Sequence, residues 1–506
     1  MPRENNKITY FVVRIGGWDG IALQAELWLD VLNSMKKRVR LVTGEIETEQ
    51  GPLDNPPFSD AEIETIPELN IENQKILYNM SFKRRYDRER WVDCFVREKE
   101  LLKRQFFRHI MSSNTVMLHN FSIKHLIPSA WAAMYELMLE HPEKRFISIA
   151  ADSPFERSYI MEKFSKEVLV ILKDARIWYK KTPRQIKNRL AKNGNNRYIA
   201  LPGPDRAPNL KYIVLNTNQK KTFHNIYGIP DEDLMVIHDI GNFDDEKVRR
   251  KPGKNDFEKF FKYLERNQLT SRQGKLNKND IFLISPVRPI RRKKLIEVAY
   301  AARLFQEYTN RKRRTGRVVL VVTHPNRDEK PYFTELKRFT KKFGITFIFL
   351  GNEIKLRKDE ENKIYTYDEV MNHFSYLNSA CIIGSEFGGW ENGILEATEH
   401  KMPVSVNPLL PSFQDMVALG YNYIPAPIMI FSDLIHASLD TDNLKFPSIK
   451  TFYDKMYSRI FVKKTRRANV NHNYSIGLRA QSKKAARPMF KKFLKSFDEQ
   501  EKAKNK

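Results

Sequence analysis

The chain is 506 residues long and carries 88 Lys and Arg against 61 Asp and Glu, a formal charge of +27. Its 41% hydrophobic and 12% aromatic residues suffice for two or three cores, which excludes a largely disordered chain. Two cysteines, Cys94 and Cys381, are too few for a disulfide framework or a multi-thiolate metal site.

Short β-branched or aromatic runs alternate with longer helical patterns, which predicts an α/β protein with parallel sheets. In chain order, Ile8–Val13 reads as a strand, Ile21–Leu32 as the helix after it and Arg38–Thr43 as a second strand. Strands follow at Thr115–Leu118, Phe146–Ala150, Tyr212–Leu215 and Leu234–Ile237. A charged, apolar-poor stretch over Asp244–Asp280 interrupts the series. A second series then runs through Ile281–Ser285, Val318–Thr323, Thr346–Leu350, Ala380–Ile383 and Val404–Val406. The pattern predicts one α/β domain over residues 1–260 and another over 261–458. A basic helical segment, 459–506, is expected to pack back on the first domain and fray at its end. The opening residues lack an apolar signal core, and no stretch reaches the ~18 apolar residues of a membrane span, so a cytoplasmic location is expected.

Three loops at strand ends carry residues suited to chemistry. Gly16-Gly17-Trp18-Asp19-Gly20 follows the first strand, where glycines let backbone approach a phosphate and the next helix presents free N–H groups. It matches neither a dinucleotide fingerprint nor a P-loop, and a plain tight turn serves the same residues. The run from Ser285 through Arg288 and Lys293 follows the first strand of the second domain, and its cations can neutralise a departing diphosphate or simply form a solvated basic loop. Gly384 to Ala397 is a glycine-rich loop running into a helix, with carboxylates at Glu386, Glu391 and Glu396. Carboxylates bind sugar hydroxyls well, and they also favour helix N-termini for structural reasons alone.

In this order the motifs resemble the "glycosyl transferases group 1" family of retaining, nucleotide-sugar-dependent enzymes. The resemblance rests on Gly16-Gly17, the Arg288/Lys293 spacing, and Leu395-Glu396-Ala397 followed by Pro403-Val404. Supporting features are the Asn216–Asp244 passage and a strand ending in His119. It spans residues 8 to 497 and implies a GT-B fold, two Rossmann-like domains facing a cleft, with the acceptor on the first and the donor nucleotide on the second. It implies that Gly16, Gly17, Arg288 and Lys293 bind the donor diphosphate, that Gly388, Gly389, Glu391 and Glu396 serve the ribose and sugar, and that His119 and Glu386 act at the reacting sugar. The family's first Glu falls on Gly388, so either Glu386 or Glu391 takes its place. Ala151-Asp152 stands where relatives have His-Asp, which favours His119 as the histidine of the site. Trp18 and Trp390 divide between sugar stacking and core filling. His224, His238 and His472 show no metal-ligand spacing, so no metal or cofactor is expected beyond the sugar nucleotide as substrate.

The excess charge admits an anionic partner. Residues 173–197 hold nine Lys and Arg against one Asp, and 459–495 is similarly basic. An anionic acceptor, either a phosphorylated small molecule or a lipid head group, would explain this, with peripheral contact at the inner face of a membrane. A lysine-rich surface with no partner explains it as well. The alternatives are a nucleic-acid-binding protein, favoured by basic-aromatic runs such as Phe82–Tyr86 but lacking any recognition motif, and a GT-B subunit without activity.

Overall fold

The structure, a computed structural model, describes residues 6–53, 57–70, 88–121, 127–151, 206–225, 228–243, 251–270, 275–326, 329–358, 365–386, 388, 390–436 and 447–504. The basic segment 173–197, Phe82–Tyr86, Asp152 and Gly389 lie outside them.

Strand β1 (Lys7–Ile15) is buried on both faces, as a central parallel strand must be. Phe11 and Val13 enter one core, while Tyr10 and Val12 enter the other. Asp19 then caps helix α1 (Gly20–Ser34), its Oδ1 accepting from the amides of Ile21 at 3.0 Å and Ala22 at 3.2 Å. The sheet is completed by β2 (Arg38–Ile46), β3 (Ala61–Thr65), β4 (Thr115–His119), β5 (Arg145–Ala150), β6 (Leu210–Val214) and β7 (Leu234–Val236). All seven strands are parallel, in the order β3-β2-β1-β4-β5-β6-β7. Helices α2 (Arg88–Ile110) and α3 (Pro128–Glu140) cover one face and α1 the other.

The stretch expected to interrupt the two series is not featureless. It carries α4 (Lys254–Arg266), whose Phe260 and Leu264 are buried in the second domain's core, and β8 (Gln268–Thr270). Its apolar residues are few but recur at helical spacing, which is enough to dock one face. The second sheet continues with β9 (Ile281–Ser285), β10 (Val318–Val322), β11 (Thr346–Phe349), β12 (Asn378–Ile383), β13 (Val404–Val406) and β14 (Ile424–Pro425). Its order is β14-β13-β12-β9-β10-β11-β8, parallel except for the β8 edge. Helices α5 (Leu295–Arg311), α6 (Tyr367–Ser375) and α7 (Asn392–Glu399) flank it.

The chain then returns to the first domain. After α8 (Pro447–Phe461) and α9 (Lys463–Ala480), helix α10 (Lys483–Lys504) buries Phe490, Phe493 and Phe497 in the core behind α1, with Phe490 edge-on to Trp28 at 5.3 Å. Gln481, at the α9–α10 junction, ties the two domains together. Its side chain donates to Asp239 O at 3.1 Å, and its Oε1 accepts from Tyr421 of the second domain at 2.6 Å. In each sheet the strand order reverses beside the first strand, between β1 and β4 and between β9 and β12. Ligands of open α/β sheets bind beyond the carboxyl ends of strands at such points. Among the described residues no helix is long and apolar enough to cross a membrane.

Candidate active site

The loops leaving β1, β9, β10 and β12 meet between the domains around a cavity of about 220 Å³. Its first-domain wall includes Arg14, Trp18, Asp19, Gln24 and Asp239, and its second-domain wall includes Arg288, Arg292, Lys293, His324 and Glu391.

Lys293 enters the cavity because a short 3-10 turn, Arg291–Lys293, precedes α5, and Lys294 takes the left-handed conformation at φ 53° to start that helix. The Lys293 ammonium is buried and lies on both carboxylate oxygens of Glu391, while the Arg292 guanidinium stands 3.5 Å from Glu391 Oε1. Burial pushes Lys293 down to about 7, Arg292 adds to that, and Glu391 opposes it. Glu391 is the residue before α7, so its carboxylate sits at a helix N-terminus as well as against two cations. The arrangement is an anion-binding cradle in which a protein carboxylate serves as the anion.

His324, just past β10, is buried beside this cluster. Its Nδ1 shares a 3.0 Å hydrogen bond with Thr323 Oγ1, and burial, then Arg288 and Lys293, push it down to about 3. Its imidazole is therefore neutral throughout the physiological range. On the first-domain side, Arg14 Nε pairs with Asp19 Oδ2 at 2.6 Å. Gln24 bridges the domains, donating to Ile240 O at 2.9 Å and to Asn392 Oδ1 at 3.2 Å. His238 packs at a tilt against Trp390 across the same seam, ring centroids 4.9 Å apart, and burial holds it below the ordinary histidine range.

Of the residues singled out from the sequence, Arg288, Lys293, Gly388 and Glu391 line this cavity. Gly388 has φ +144°, and a Cβ there would stand 3.0 Å from Glu391 Oε1, so the position favours glycine. Between the two candidate carboxylates the geometry separates Glu391, in the cavity, from Glu386, which pairs with Lys294 at 3.0 Å outside its lining. Gly16 and Gly17 stand one step behind the wall. A Cβ on Gly17 would lie 2.6 Å from the Glu47 carboxylate, and Gly16, at φ +83°, offers its carbonyl to Arg357 Nη1 at 3.2 Å. Glu396 faces an adjacent cavity on the other side of α7, where it accepts from Tyr367 Oη at 2.6 Å and burial pushes it up to about 8.

His119 ends β4 as expected; its side chain is 1% exposed and is not among the described residues lining this cavity. It shares a 2.6 Å hydrogen bond with the Tyr10 hydroxyl, and Tyr10 is itself fully buried in the core behind α1. A polar group so deep is retained because its partner satisfies it. Arg292, His324, Trp18 and Asn392 were not assigned to the site from sequence. Arg292 and His324 had a readable signal, since both follow the C-terminal ends of parallel strands, whereas the inward turn of Trp18 and Asn392 depends on how the domains meet.

Comparison with known proteins supports the architecture. No family model matches the chain. It is 22% identical over 494 residues to a mannosylglucosylglycerate synthase of Thermotoga maritima, covering 94% of this chain and 96% of that one. Among solved structures it resembles an alpha,alpha-trehalose 6-phosphate synthase from Burkholderia multivorans, with TM-score 0.57, 14% identity and 98% and 99% of the two chains covered. An alpha,alpha-trehalose-phosphate synthase (UDP-forming) from Burkholderia xenovorans in complex with glucose-6-phosphate matches at TM-score 0.53, 11% identity, with 94% and 99% covered. A trehalose-6-phosphate protein from E. coli bound with UDP-2-fluoro glucose matches at TM-score 0.50, 12% identity, with 93% and 97% covered. Two Rossmann-like domains facing a cleft, with neighbours of this kind over nearly their whole length, give the chain the GT-B glycosyltransferase fold.

Proposed function

We propose that the protein is a retaining hexosyltransferase, moving a sugar from a nucleoside-diphosphate donor to an acceptor hydroxyl. The observation that carries the reading is the convergence of Arg288, Arg292 and Lys293 on one cavity at the carboxyl ends of both sheets. Transfer leaves negative charge on the departing diphosphate, and preorganised cations in a dry cleft stabilise that charge more than water does. Arg288 and Lys293 take the diphosphate, with Arg292 as a third cation. Glu391 holds a hydroxyl of the donor sugar once the diphosphate has replaced it on Lys293. Glu396 holds the ribose hydroxyls. Retention follows from attack of the acceptor hydroxyl on the face from which the diphosphate departs, the hydroxyl proton passing to a departing phosphate oxygen.

The acceptor lies against the first-domain wall, where Arg14 faces the cavity. A phosphorylated acceptor suits that cation, and a similar protein was solved with glucose-6-phosphate. Exposed Lys484, Lys491, Lys492 and Lys495 on α10 suit peripheral contact with anionic lipid. Mass spectrometry of products tests the reading directly, using a panel of sugar nucleotides with phosphorylated and unphosphorylated acceptors. The proposal expects a mass gain of one hexose on an acceptor with release of the nucleoside diphosphate. Release of free sugar alone, or no consumption of any donor, overturns it.

A further inference from the structure

Among the cations of the cleft stands one uncharged side chain with an open nitrogen. His324 lines the same cavity as Arg288, Arg292 and Lys293, two residues past the end of β10. Its backbone is fixed by the loop after β11, which packs so closely that a Cβ on Gly351 would stand 2.4 Å from His324 O. Its ring is held from three directions. Thr323 Oγ1 shares the 3.0 Å hydrogen bond with Nδ1, the Trp18 indole packs edge-on with centroids 5.0 Å apart, and the Tyr367 ring does the same at 5.6 Å. Tyr367 is anchored in turn by its hydrogen bond to Glu396. That leaves Nε2. It has no hydrogen-bond partner among the described residues, yet it is not sealed away as the partnerless Trp390 indole nitrogen is. In a side chain only 7% exposed that lines the cavity, the cavity is what Nε2 opens to.

We propose that His324 is a further residue of the donor site, its Nε2–H donating to an oxygen of the diphosphate that Arg288 and Lys293 receive. This role rests on the nucleotide-sugar reading above and adds to it a contact of a different kind. Three cations already converge on the cavity, and Arg292 contributes to holding Lys293 down. A fourth positive charge would add to that repulsion, whereas an uncharged donor does not. Burial, then Arg288 and Lys293, keep the imidazole uncharged. An ionised diphosphate offers oxygens that only accept, so it selects the tautomer with the proton on Nε2. Thr323 permits that choice, because its hydroxyl can donate to Nδ1 as well as accept from it. The proton stays on the ring throughout. As the bond between sugar and phosphate breaks, charge grows on the accepting oxygens, and a donor already in place binds them more strongly.

The test titrates whichever of UDP, GDP or ADP binds wild type into the full-length wild type, His324→Phe and His324→Gln. Phe keeps a ring in the seat and removes the donor, while Gln restores an N–H at a reach similar to that of Nε2. The Kd should rise at least about tenfold in His324→Phe, the loss of a hydrogen bond to a charged acceptor, and by clearly less in His324→Gln. In parallel, nuclear magnetic resonance of wild type labelled with ¹⁵N-histidine follows the rings directly. The chain has 11 histidines, and the His324 signals are those missing from either variant. They should show the proton on Nε2 in the complex, with that proton moving downfield as the nucleoside diphosphate is added. Equal affinity in wild type and a folded His324→Phe overturns this role while leaving the donor reading intact. So does a His324 ring that bound diphosphate leaves unmoved or carrying its proton on Nδ1, which would make it a packing residue. If His324→Phe fails to fold, the wild-type spectrum, assigned through His324→Gln, decides by itself. If no nucleoside diphosphate binds wild type, the donor reading falls and this role falls with it.

Discussion

Replacing Glu391 with Gln should strengthen the binding of a nucleoside diphosphate, although the change is made inside the donor site. In the empty cleft both oxygens of Glu391 lie on the Lys293 ammonium, and Arg292 stands 3.5 Å from one of them. A diphosphate must displace that carboxylate and then sit beside it. Two like unit charges about 5 Å apart at an effective dielectric near 20 repel by about 3 kcal/mol. The proton that Lys293 must take up in the variant offsets part of this, so the net gain should be about 1–2 kcal/mol, or roughly 5- to 30-fold in Kd. The pH dependence carries its own sign. Lys293 is already held down to about 7, and loss of the carboxylate lowers it further. The variant must then take up a proton as the diphosphate binds, so its affinity should rise as pH falls from 8.5 to 6.5. Titration calorimetry with the free nucleoside diphosphate, in two buffers of different ionisation enthalpy, reads both the affinity and the proton. A Kd that increases in Glu391→Gln, with no proton uptake, would refute the view of this carboxylate as the cradle's resident anion.

Three further outcomes follow from the same geometry. Glu396 is held up to about 8 by burial against an ordinary 4.5, so the folded state binds its proton more tightly. That contribution is complete below about pH 4.5 and is lost as pH rises through about 8; thermal melts should show Glu396→Gln gaining on wild type across that window. His119→Ala should cost about 1–3 kcal/mol of stability in denaturant titrations by stranding the buried Tyr10 hydroxyl, yet leave kcat unchanged. A Cβ on Gly393 would meet Pro286 O at 2.7 Å, pressing α7 against the loop that carries Arg288. Gly393→Ala should therefore weaken nucleotide binding by thermal shift and cost about 1–3 kcal/mol.

Much of the architecture was legible because parallel strands buried on both faces read as plain apolar runs. Ile8–Val13 and Ile281–Ser285 are of this kind, and each ends in a loop whose chemistry is readable. Strands β3 and β8 were missed for the converse reason: AEIET and QLT lie at sheet edges and need no apolar face of their own. Helix α4 was hidden by its charge, since Phe260 and Leu264 suffice to dock it. Within the site, Arg288, Lys293 and Glu391 could be found because chemistry concentrates at the carboxyl ends of parallel strands. His119 sits at such an end too, but its side chain is buried against the Tyr10 hydroxyl of the neighbouring strand β1, a partner its own neighbours in sequence do not reveal. Trp18 escaped because its seat is built by the other domain.

The central claim is that the cations of the second domain receive a donor's diphosphate. Titration of UDP, GDP and ADP into wild type, Arg288→Ala and Lys293→Met measures this most directly. One nucleotide should bind wild type at one site per chain, and each substitution should weaken it at least about tenfold through the lost charge-assisted contact. Equal affinity in all three proteins, or no affinity in any, would contradict it.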